Sequence, residues 1–326
     1  MGRTVGMDRL SWMADPSERE LRAALGGVLP ELACESIVLR AEAKRGDPRW
    51  HSGSAVIGGA FVAKFAWSRV AAGRNRREGQ MLLALRSAAP HLQLPEVVEI
   101  STDPVLIVTR VVPGSPLTGA GIATLGDAGS DQVAADLAAF LAGLHDPSVL
   151  DKVRRAAPMV APEPQADTNS LRQRFGKWVT AEERDAVIGW CDWVDAVLGD
   201  PSPSEVLVHG DLHGHNQLWD LKAPALRAVV DFDISGPRDA EFDFRYIPAQ
   251  APGSGLFAAV MRHYQEESGR ALDVDRVMAW HIRTVLGDAL WRSEAGVTLP
   301  GGGDPSTWVD ELAQRMRETG VEAWRP

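Results

Sequence analysis

The chain has 326 residues, of which 45% are hydrophobic, enough for one large domain or two smaller ones with a sizeable core. Its 34 Lys and Arg residues stand against 44 Asp and Glu residues, and the formal charge of -10 argues against nucleic acid or an anionic membrane surface as the main partner. Cys34 and Cys191 lie far apart, and no apolar run approaches roughly 18 residues, so we expect a cytoplasmic protein without disulfides or membrane spans.

Residues 1–112 predict a small β-sheet that carries one helix packed against it. A capping signal at Asp15 and Pro16 predicts a first helix that ends near Leu25. Short β-branched runs predict strands at residues 36–40, 54–57, 60–65 and 105–112. The Gly58-Gly59 turn joins two of these strands into a hairpin.

The packed helix is predicted over residues 68–87. Its apolar stripe of Met81, Leu82 and Leu85 lies three, four and seven residues after Glu78. This spacing places Glu78 on the apolar face, so we expect its carboxylate to point towards the sheet.

Residues 113–326 are predicted to be mainly helical and follow a connector, ProGlySerPro, after Val112. A helix with Asp131 as its N-cap is expected to end at Pro147. Further helices are predicted at residues 171–179, 181–198, 256–267, 274–291 and 308–319, with short strands at 205–208, 217–219 and 227–230. The fold class is therefore α+β, with a mixed N-lobe over residues 1–112 joined to a larger helical C-lobe over residues 113–326.

Polar side chains concentrate in LVHGDLHGHNQLW, residues 207–219, where a loop follows the strand at 205–208. The next two strands predict a hairpin, which brings Asp231 back beside Asn216. An oxygen-rich pair of this kind suits Mg²⁺ bound together with nucleotide phosphates. Asp211 is then left to orient a hydroxyl group, which completes a sufficient set for phosphoryl transfer.

Three motifs resemble the aminoglycoside phosphotransferase family of the protein-kinase-like superfamily: HGDLHGHN at residues 209–216, VVDFD at 229–233 and GPRDAEFDF at 236–244. The similarity extends across most of the chain. Lys64 in AFVAKF matches the phosphate-binding strand lysine, Glu78 in RREGQMLLAL matches its glutamate partner, and IVTRVVPG at 107–114 resembles the hinge. The resemblance implies a bilobal kinase-like fold that uses ATP or GTP together with Mg²⁺.

The resemblance also implies a role for each matching residue. Asp211 would be the catalytic base, and Asn216 and Asp231 would be the Mg²⁺ ligands. Lys64 would bind the α- and β-phosphates and would be held by Glu78. The backbone of Arg110 and Val112 would contact adenine. The segment 43–54 lacks a GxGxxG pattern, so Gly53 and Ser54 are assigned to the phosphate-covering turn by position. Asp233 would contact a second Mg²⁺ or the loop, while Asp243 and His209 would support the catalytic loop.

Each of these residues also has a structural explanation. Lys64 could face solvent, and Glu78 could form an ordinary i, i+4 pair with Arg74. Asp211 could cap its loop, and Asp231 could end its strand. The joint spacing of Asp211, Asn216 and Asp231 favours the functional interpretation.

Two further functional classes fit parts of the sequence. GDLHG with His213 and His215 resembles the first metal-binding motif of calcineurin-like metallophosphoesterases, which bind two metals and activate water. That family continues with a GNH element, which is not found after Asn216, and its first motif usually opens the domain. A nucleotide-binding pseudoenzyme is the other class, although such proteins usually lose one of the residues that remain intact here.

The expected function is ATP-dependent phosphorylation of a hydroxyl on a small molecule, which we expect to be an antibiotic. A small-metabolite kinase is the alternative, since relatives also accept choline, homoserine and sugars as well as macrolides. Four carboxylates and two indoles are candidates for the acceptor side of the cleft: Asp239, Glu241, Asp288, Glu294, Trp280 and Trp291. Such a cleft would favour a cationic acceptor. The sequence carries no signal for an oligomeric state.

Overall fold

The computed structural model describes residues 10–40, 48–200 and 204–321, and it has the predicted α+β organisation. Five antiparallel strands form the N-lobe sheet in the order β1-β2-β3-β5-β4. The strands are β1 (Ile37–Arg40), β2 (Ser52–Ile57), β3 (Phe61–Ala66), β4 (Val97–Thr102) and β5 (Val105–Arg110). All four predicted N-lobe strands are confirmed, with shifts of one or two residues at their ends.

Strand β4 was not predicted, because its sequence VVEIST does not have a clear apolar face. All of its residues from Val97 to Ser101 are half-buried, and a register shift separates Val97 from Glu99. The strand therefore lacks the two-residue alternation by which a half-buried strand is recognised.

The two faces of the N-lobe sheet have different environments. One face carries Ile57, Phe65 and Val108, which are fully buried in the cluster that includes helix α1 (Glu18–Val28). The opposite face carries Ser54, Lys64 and Ile107, which lie side by side because they are direct partners in the strand register. Alternation along the strands thus directs Lys64 away from the α1 core and towards the space between the lobes.

Helix α2 (Arg69–Ala88) packs on the second face and confirms the predicted orientation of Glu78. Ser68 caps the helix by accepting a hydrogen bond from Ala71 N. Glu78 is only 4% exposed and lies on the buried stripe of the helix. Gly79 allows this close packing, since a Cβ atom there would lie 3.0 Å from a side-chain carbon of Ile100.

The C-lobe is mainly helical, and its elements follow the chain from the hinge onwards. They are β6 (Ser115–Pro116), α3 (Gly119–Ala123), α4 (Asp127–Leu144), α5 (Pro147–Arg154), α6 (Thr168–Arg174), α7 (Ala181–Gly199), β7 (Val206–Val208), β8 (Gln217–Asp220), β9 (Ala225–Val229), β10 (Gly236–Arg238), α8 (Glu241–Phe244), α9 (Ile247–Gln250), α10 (Leu256–Ser268), α11 (Val274–Ala295) and α12 (Pro305–Thr319). In the described parts of the chain, single turns of 3-10 helix lie at Pro30–Leu32, Pro48–Trp50, Phe175–Lys177 and Gly214–Asn216.

Three predictions about helix ends were wrong, the first being the cap of α1, which is Ser17 and not Asp15. Helix α4 begins after Gly126, and Asp131 instead bonds His263 Nε2 at 2.9 Å and Arg262 at 2.8 Å on α10. Pro147 does not stop a helix but opens α5, with Asp146 as the N-cap. A proline fits the first turn of a helix because it needs no backbone donor there.

Two large apolar clusters form the C-lobe core, one around α4, α10 and β7 and the other around α6, α7, α11 and α12. Among the described residues, no single helix is long and apolar enough to cross a membrane, and only the bent pair α4 and α5, at 51°, has the length and composition together.

Candidate active site

The loop between β7 and β8 is held by a buried carboxylate. Asp243, at the end of the short helix α8, accepts hydrogen bonds from His209 N at 2.7 Å and from Gly210 N at 2.9 Å. His145 lies 3.1 Å from the same carboxylate, and all of these groups are buried. The prediction that Asp243 supports the loop backbone is confirmed.

Gly210 is required by the path of this loop. Its φ is 90°, a left-handed conformation that favours glycine, and a Cβ atom would lie 2.8 Å from the carbonyl oxygen of Ile234. The loop therefore packs tightly on the segment after β9, which carries Asp231 and Asp233.

Asp211 projects from this loop with its side chain 31% exposed. Its Oδ1 accepts a hydrogen bond of 2.6 Å from the hydroxyl of Tyr246, and its Oδ2 lies 3.5 Å from His213 Nε2. Tyr246 was missed by the sequence analysis. It lies two residues beyond the GPRDAEFDF motif and is one of only two tyrosines in the chain, which is the signal that could have identified it.

The predicted hairpin brings Asn216 and Asp231 together. Val230 N donates to Asn216 O at 2.9 Å, which places Asp231 next to Asn216 across the ladder. The Asn216 side-chain nitrogen donates to Asp211 O at 2.8 Å, so its amide oxygen is the atom left for a metal. Asp231 is 39% exposed and adds a carboxylate. An amide oxygen and a carboxylate are hard donors of the kind that Mg²⁺ prefers, so these residues fit that ion.

Lys64 joins the N-lobe to this pair of residues. Its Nζ lies 2.5 Å from Glu78 Oε2 and 2.5 Å from Asp231 Oδ1. The alternative pairing of Glu78 with Arg74 is not found, because Arg74 forms an ion pair with Asp233 instead. The contacts of Lys64 and Arg74 therefore link strand β3 and helix α2 to the segment after β9.

Three carboxylates and two cations meet among the described residues of this cluster, and burial is the largest influence on the pKa values of Lys64, Glu78 and Asp233. Burial raises the pKa of Glu78 to about 7, although the charge of Lys64 opposes the shift. Burial lowers the pKa of Lys64, but Asp231 and Glu78 outweigh it, and the net pKa is raised. Burial and the charge of Asp231 raise the pKa of Asp233. Lys64 therefore stays charged, and Glu78 and Asp233 are the carboxylates that are costly to ionise.

The structure gives positions for most of the residues that were predicted to contact the nucleotide. Ser54 is the direct partner of Lys64 on β2, and Gly53 is the partner of Phe65. Residues 43–47 of the expected phosphate-covering segment lie outside the described residues. The Arg110 backbone N–H donates to Glu96 O at 2.9 Å, so it is not available to adenine, while Val112 follows β5 in the irregular hinge.

The structure contradicts the assignment of Asp239 and Glu241 to the acceptor side. Asp239 is 3% exposed and accepts hydrogen bonds from Arg276 Nε at 2.5 Å and Trp280 Nε1 at 3.0 Å. Glu241 is 6% exposed and accepts one from Asp273 N at 3.2 Å. Both carboxylates anchor the start of α11 inside the C-lobe, because a buried carboxylate needs a cation or donors close by. Trp280 is likewise a buried core residue.

The remaining acceptor candidates lie further along α11 and are partly exposed. Asp288 accepts from Arg292 at 2.8 Å, and Glu294 accepts from Arg174 Nε at 2.8 Å. The ring centroid of Trp291 is 5.9 Å from that of Trp50, in the N-lobe. Both carboxylates are thus paired with arginines, which weakens the argument for a strongly cationic acceptor.

The two histidines that favoured a metallophosphoesterase do not form a metal cluster. His213 packs edge-on against Tyr246, with ring centroids 5.6 Å apart, and against His215 at 5.9 Å. Within the ranges 10–40, 48–200 and 204–321, no three His, Cys, Asp or Glu side chains converge as metal ligands. The geometry around Asp211 instead suits a single carboxylate facing a hydroxyl.

Comparisons with known proteins agree with this geometry. A family model described as the phosphotransferase enzyme family matches residues 40–293. Viomycin phosphotransferase from Streptomyces vinaceus is 29% identical over 202 residues, which cover 60% of this chain and 69% of that protein.

Two solved structures share the fold. A GDP complex of an aminoglycoside 2'-phosphotransferase-IIIa mutant has a TM-score of 0.69 at 19% identity, covering 94% of this chain and 98% of that one. A choline/ethanolamine kinase family protein from Mesorhizobium loti has a TM-score of 0.61 at 16% identity, covering 92% and 94%. At these identities the likeness concerns the fold.

Proposed function

Because the chain belongs to the phosphotransferase enzyme family and is therefore an enzyme that transfers phosphate to hydroxyl groups, we propose that it moves the γ-phosphate of ATP to a hydroxyl of an antibiotic. GTP is the alternative donor, since the fold neighbour described above is a GDP complex. The reaction is proposed to require Mg²⁺ and to take place in the cytoplasm.

The observation that carries this proposal is the contact of Lys64 with both Glu78 and Asp231. Asp231 lies 167 residues further along the chain, in the other lobe. A lysine that faced solvent on the outer side of the sheet could not contact both Glu78 and Asp231. The contact supports a role for Lys64 in binding phosphate beside Asp231, the proposed metal ligand.

The site needs positive charge before it can accept a nucleotide. Of the residues that the structure describes, Lys64 and Arg74 contact Glu78, Asp231 and Asp233, so these five groups carry more negative than positive formal charge. Asn216 and Asp231 would hold Mg²⁺, which when bound neutralises phosphate charge and orients the phosphates. Lys64 would then exchange Asp231 for phosphate oxygens while keeping Glu78.

Asp211 would act on the acceptor. The hydroxyl oxygen of the acceptor attacks the γ-phosphorus as the bond from phosphorus to the bridging oxygen of ADP breaks, and Asp211 accepts the hydroxyl proton. Oδ2 is the oxygen placed for this step, because Oδ1 already accepts from Tyr246. The chain's contribution is mainly positioning and charge neutralisation, as expected for phosphoryl transfer.

An antibiotic acceptor is supported by the viomycin phosphotransferase that the chain resembles at 29% identity. A small-metabolite kinase is the second candidate, and the choline/ethanolamine kinase family neighbour favours it. The test is acceptor-dependent ADP release with aminoglycosides, cyclic basic peptides, macrolides, neutral hydroxylated antibiotics, choline and homoserine, each at two salt concentrations.

We expect saturation by an antibiotic, with the phosphorylated product identified by mass spectrometry. A KM that rises with salt would indicate a cationic acceptor, because screening weakens attraction to exposed carboxylates. Saturation by choline or homoserine alone would favour the metabolite kinase. Nucleotide binding without transfer to any acceptor would favour a pseudoenzyme and contradict the proposal.

Lys64 and Glu78 are expected to act as one unit. Lys64→Ala and Glu78→Ala should each lower kcat/KM for the nucleotide by roughly tenfold or more, since each breaks a charge-assisted contact. A double-mutant cycle should give a coupling energy of about 0.5–3 kcal/mol. The matched cycle uses Arg74 and Glu78, which do not pair, and its coupling should be smaller. Full additivity of Lys64 and Glu78 would argue that they do not work together.

Removing a metal ligand should abolish the dependence of nucleotide binding on Mg²⁺. Calorimetric titration of the nucleotide is expected to show tighter binding to the wild-type protein as Mg²⁺ is raised, because Asn216 and Asp231 hold the ion. Asn216→Ala and Asp231→Ala should lose most of that gain. The control is Asp192→Asn, at a carboxylate that is 67% exposed and bonded to Arg172. Equal Mg²⁺ dependence in all variants would remove these two residues from the metal site.

A further inference from the structure

The hydroxyl of Tyr246 is hydrogen-bonded to one carboxylate oxygen of Asp211, the proposed catalytic base. Tyr246 lies between α8 and α9 and donates to Asp211 Oδ1 at 2.6 Å, a short bond typical of a hydroxyl and a carboxylate. Neither the family match nor the motifs assign a role to this tyrosine. Tyr246 thus places its own hydroxyl beside the Asp211 carboxylate, which is proposed to bind the hydroxyl of the acceptor.

Arg245 fixes the ring and hydroxyl of Tyr246 from one side. The Arg245 guanidinium lies 4.3 Å from the centre of the Tyr246 ring, and its Nη2 is 3.3 Å from the hydroxyl. The same guanidinium donates to Gly210 O at 2.5 Å and to Phe242 O at 2.8 Å, and the Arg245 carbonyl contacts His281 Nδ1 at 2.6 Å. The tyrosine is therefore tied to the backbone of the catalytic loop.

The hydroxyl acts as a donor only while it is protonated. Burial raises the pKa of Tyr246 well above its ordinary value, the nearby Asp211 raises it further, and Arg245 opposes the shift. The hydroxyl therefore stays protonated at neutral pH and donates to Oδ1. The other oxygen, Oδ2, has His213 Nε2 at 3.5 Å, which is beyond a normal hydrogen bond, so Oδ2 is left for the acceptor.

We propose that Tyr246 is a positioning residue that fixes the rotamer of Asp211, so that Oδ2 faces the acceptor hydroxyl and Oδ1 is closed to water. This inference rests on the proposed role of Asp211 as the base. Tyr246 would then set how tightly cleavage of the nucleotide is coupled to phosphorylation of the acceptor. Without the tyrosine hydroxyl, the carboxylate could rotate and accept a proton from water, which would allow hydrolysis of the nucleotide.

The kinetic test compares Tyr246→Phe with the wild-type protein. The variant keeps the ring contacts and loses only the hydroxyl. We expect kcat for transfer to fall about tenfold, the size of one lost hydrogen bond to a charged group, with the KM for the nucleotide unchanged. The ratio of nucleotide hydrolysis to acceptor phosphorylation should rise several-fold. A proportional fall in both rates, or wild-type kcat and coupling, would overturn the proposal.

Tyr264→Phe is the matched control, because it removes the only other phenol hydroxyl in the chain. Tyr264 is fully buried and bonds His145 at 3.0 Å rather than Asp211. Any loss of stability from this variant should change transfer and hydrolysis in the same proportion. A rise in the hydrolysis ratio equal to that of Tyr246→Phe would show that the effect is not specific to Asp211, and would overturn the proposal.

A spectroscopic readout tests the contact without measuring activity. Protein labelled with 3-fluorotyrosine should give two ¹⁹F resonances, and Tyr264→Phe assigns the one from Tyr246. Asp211→Asn should move that resonance and lower the pKa of Tyr246, because a negative charge beside the phenol is removed. An unchanged resonance and pKa would overturn the contact.

Loss of transfer in Asp211→Asn with wild-type behaviour of Tyr246→Phe would overturn this inference alone. Full activity of Asp211→Asn would instead contradict the proposed function.

Discussion

Replacing Asp211 with Asn is expected to lower kcat for transfer by roughly 100- to 10,000-fold, the range that a general base contributes. The side chain keeps its shape, and its oxygen can still accept the hydrogen bond from Tyr246. The variant therefore loses the negative charge and the proton-accepting oxygen while the loop stays in place. Lys64, Asn216 and Asp231 are unchanged, so nucleotide affinity should remain close to that of the wild-type protein.

Two measurements check this expectation: steady-state ADP release with a saturating acceptor, and calorimetric titration of the nucleotide with Mg²⁺. Asp192→Asn makes the same chemical change at an exposed carboxylate of α7 and should leave both quantities unaltered. Turnover of Asp211→Asn within twofold of the wild-type value would remove Asp211 from the chemistry. A parallel loss of nucleotide affinity would instead indicate that the loop has been disturbed.

Replacing Asp243 with Ala is expected to lower the free energy of unfolding by about 3–5 kcal/mol, the usual loss when one partner of a buried charged network is removed. The carboxylate is fully buried and satisfies His209 N, Gly210 N and His145. Burial raises the pKa of Asp243, but His145, His209 and the Gly210 N–H outweigh it, and the net pKa is lowered. The carboxylate is therefore ionised in the folded protein, and alanine would leave two buried backbone donors unsatisfied.

Urea unfolding measured at constant pH checks this value, with Asp192→Ala as the exposed control. Asp243→Asn is the conservative variant: it keeps one acceptor oxygen but turns an amide towards a backbone N–H, so its loss should be intermediate. A loss below about 1 kcal/mol for Asp243→Ala would mean that water or another group satisfies the loop donors.

Helix periodicity predicted where Glu78 points, whereas Lys64 was identified by its resemblance to the family's strand lysine, and the strand alternation agrees with that assignment. Lys64 alternates with the buried Ala63 and Phe65 on β3, and Glu78 shares the buried stripe of α2. The hairpin returning Asp231 to Asn216 follows from two short strands and the chain between them. These are local regularities, so a single sequence is sufficient to locate them.

The acceptor side could not be predicted, because it depends on which partner each carboxylate finds. Asp239 and Glu241 are acidic residues of the kind expected on a surface that binds cations, but Arg276 and the start of α11 enclose them. Tyr246 lies outside the motifs, and its hydroxyl reaches Asp211 because α8 ends just before it, with Arg245 as the C-cap. These contacts result from tertiary packing between distant segments, which the hydrophobic periodicity of a sequence does not predict.

The backbone conformation of Asp231 affects which substitutions the fold tolerates at this position. Asp231 has a φ of 72°, and among the described residues it is the only one other than glycine with a left-handed backbone. Glycine adopts that conformation without a steric cost that amounts to about 1–2 kcal/mol for most residues. Asp231→Gly should therefore relieve that cost but also break the ion pair with Lys64, so its two effects on the free energy of unfolding oppose each other. Aspartate keeps a carboxylate beside Lys64 and at the proposed metal site, at a backbone cost that glycine would avoid.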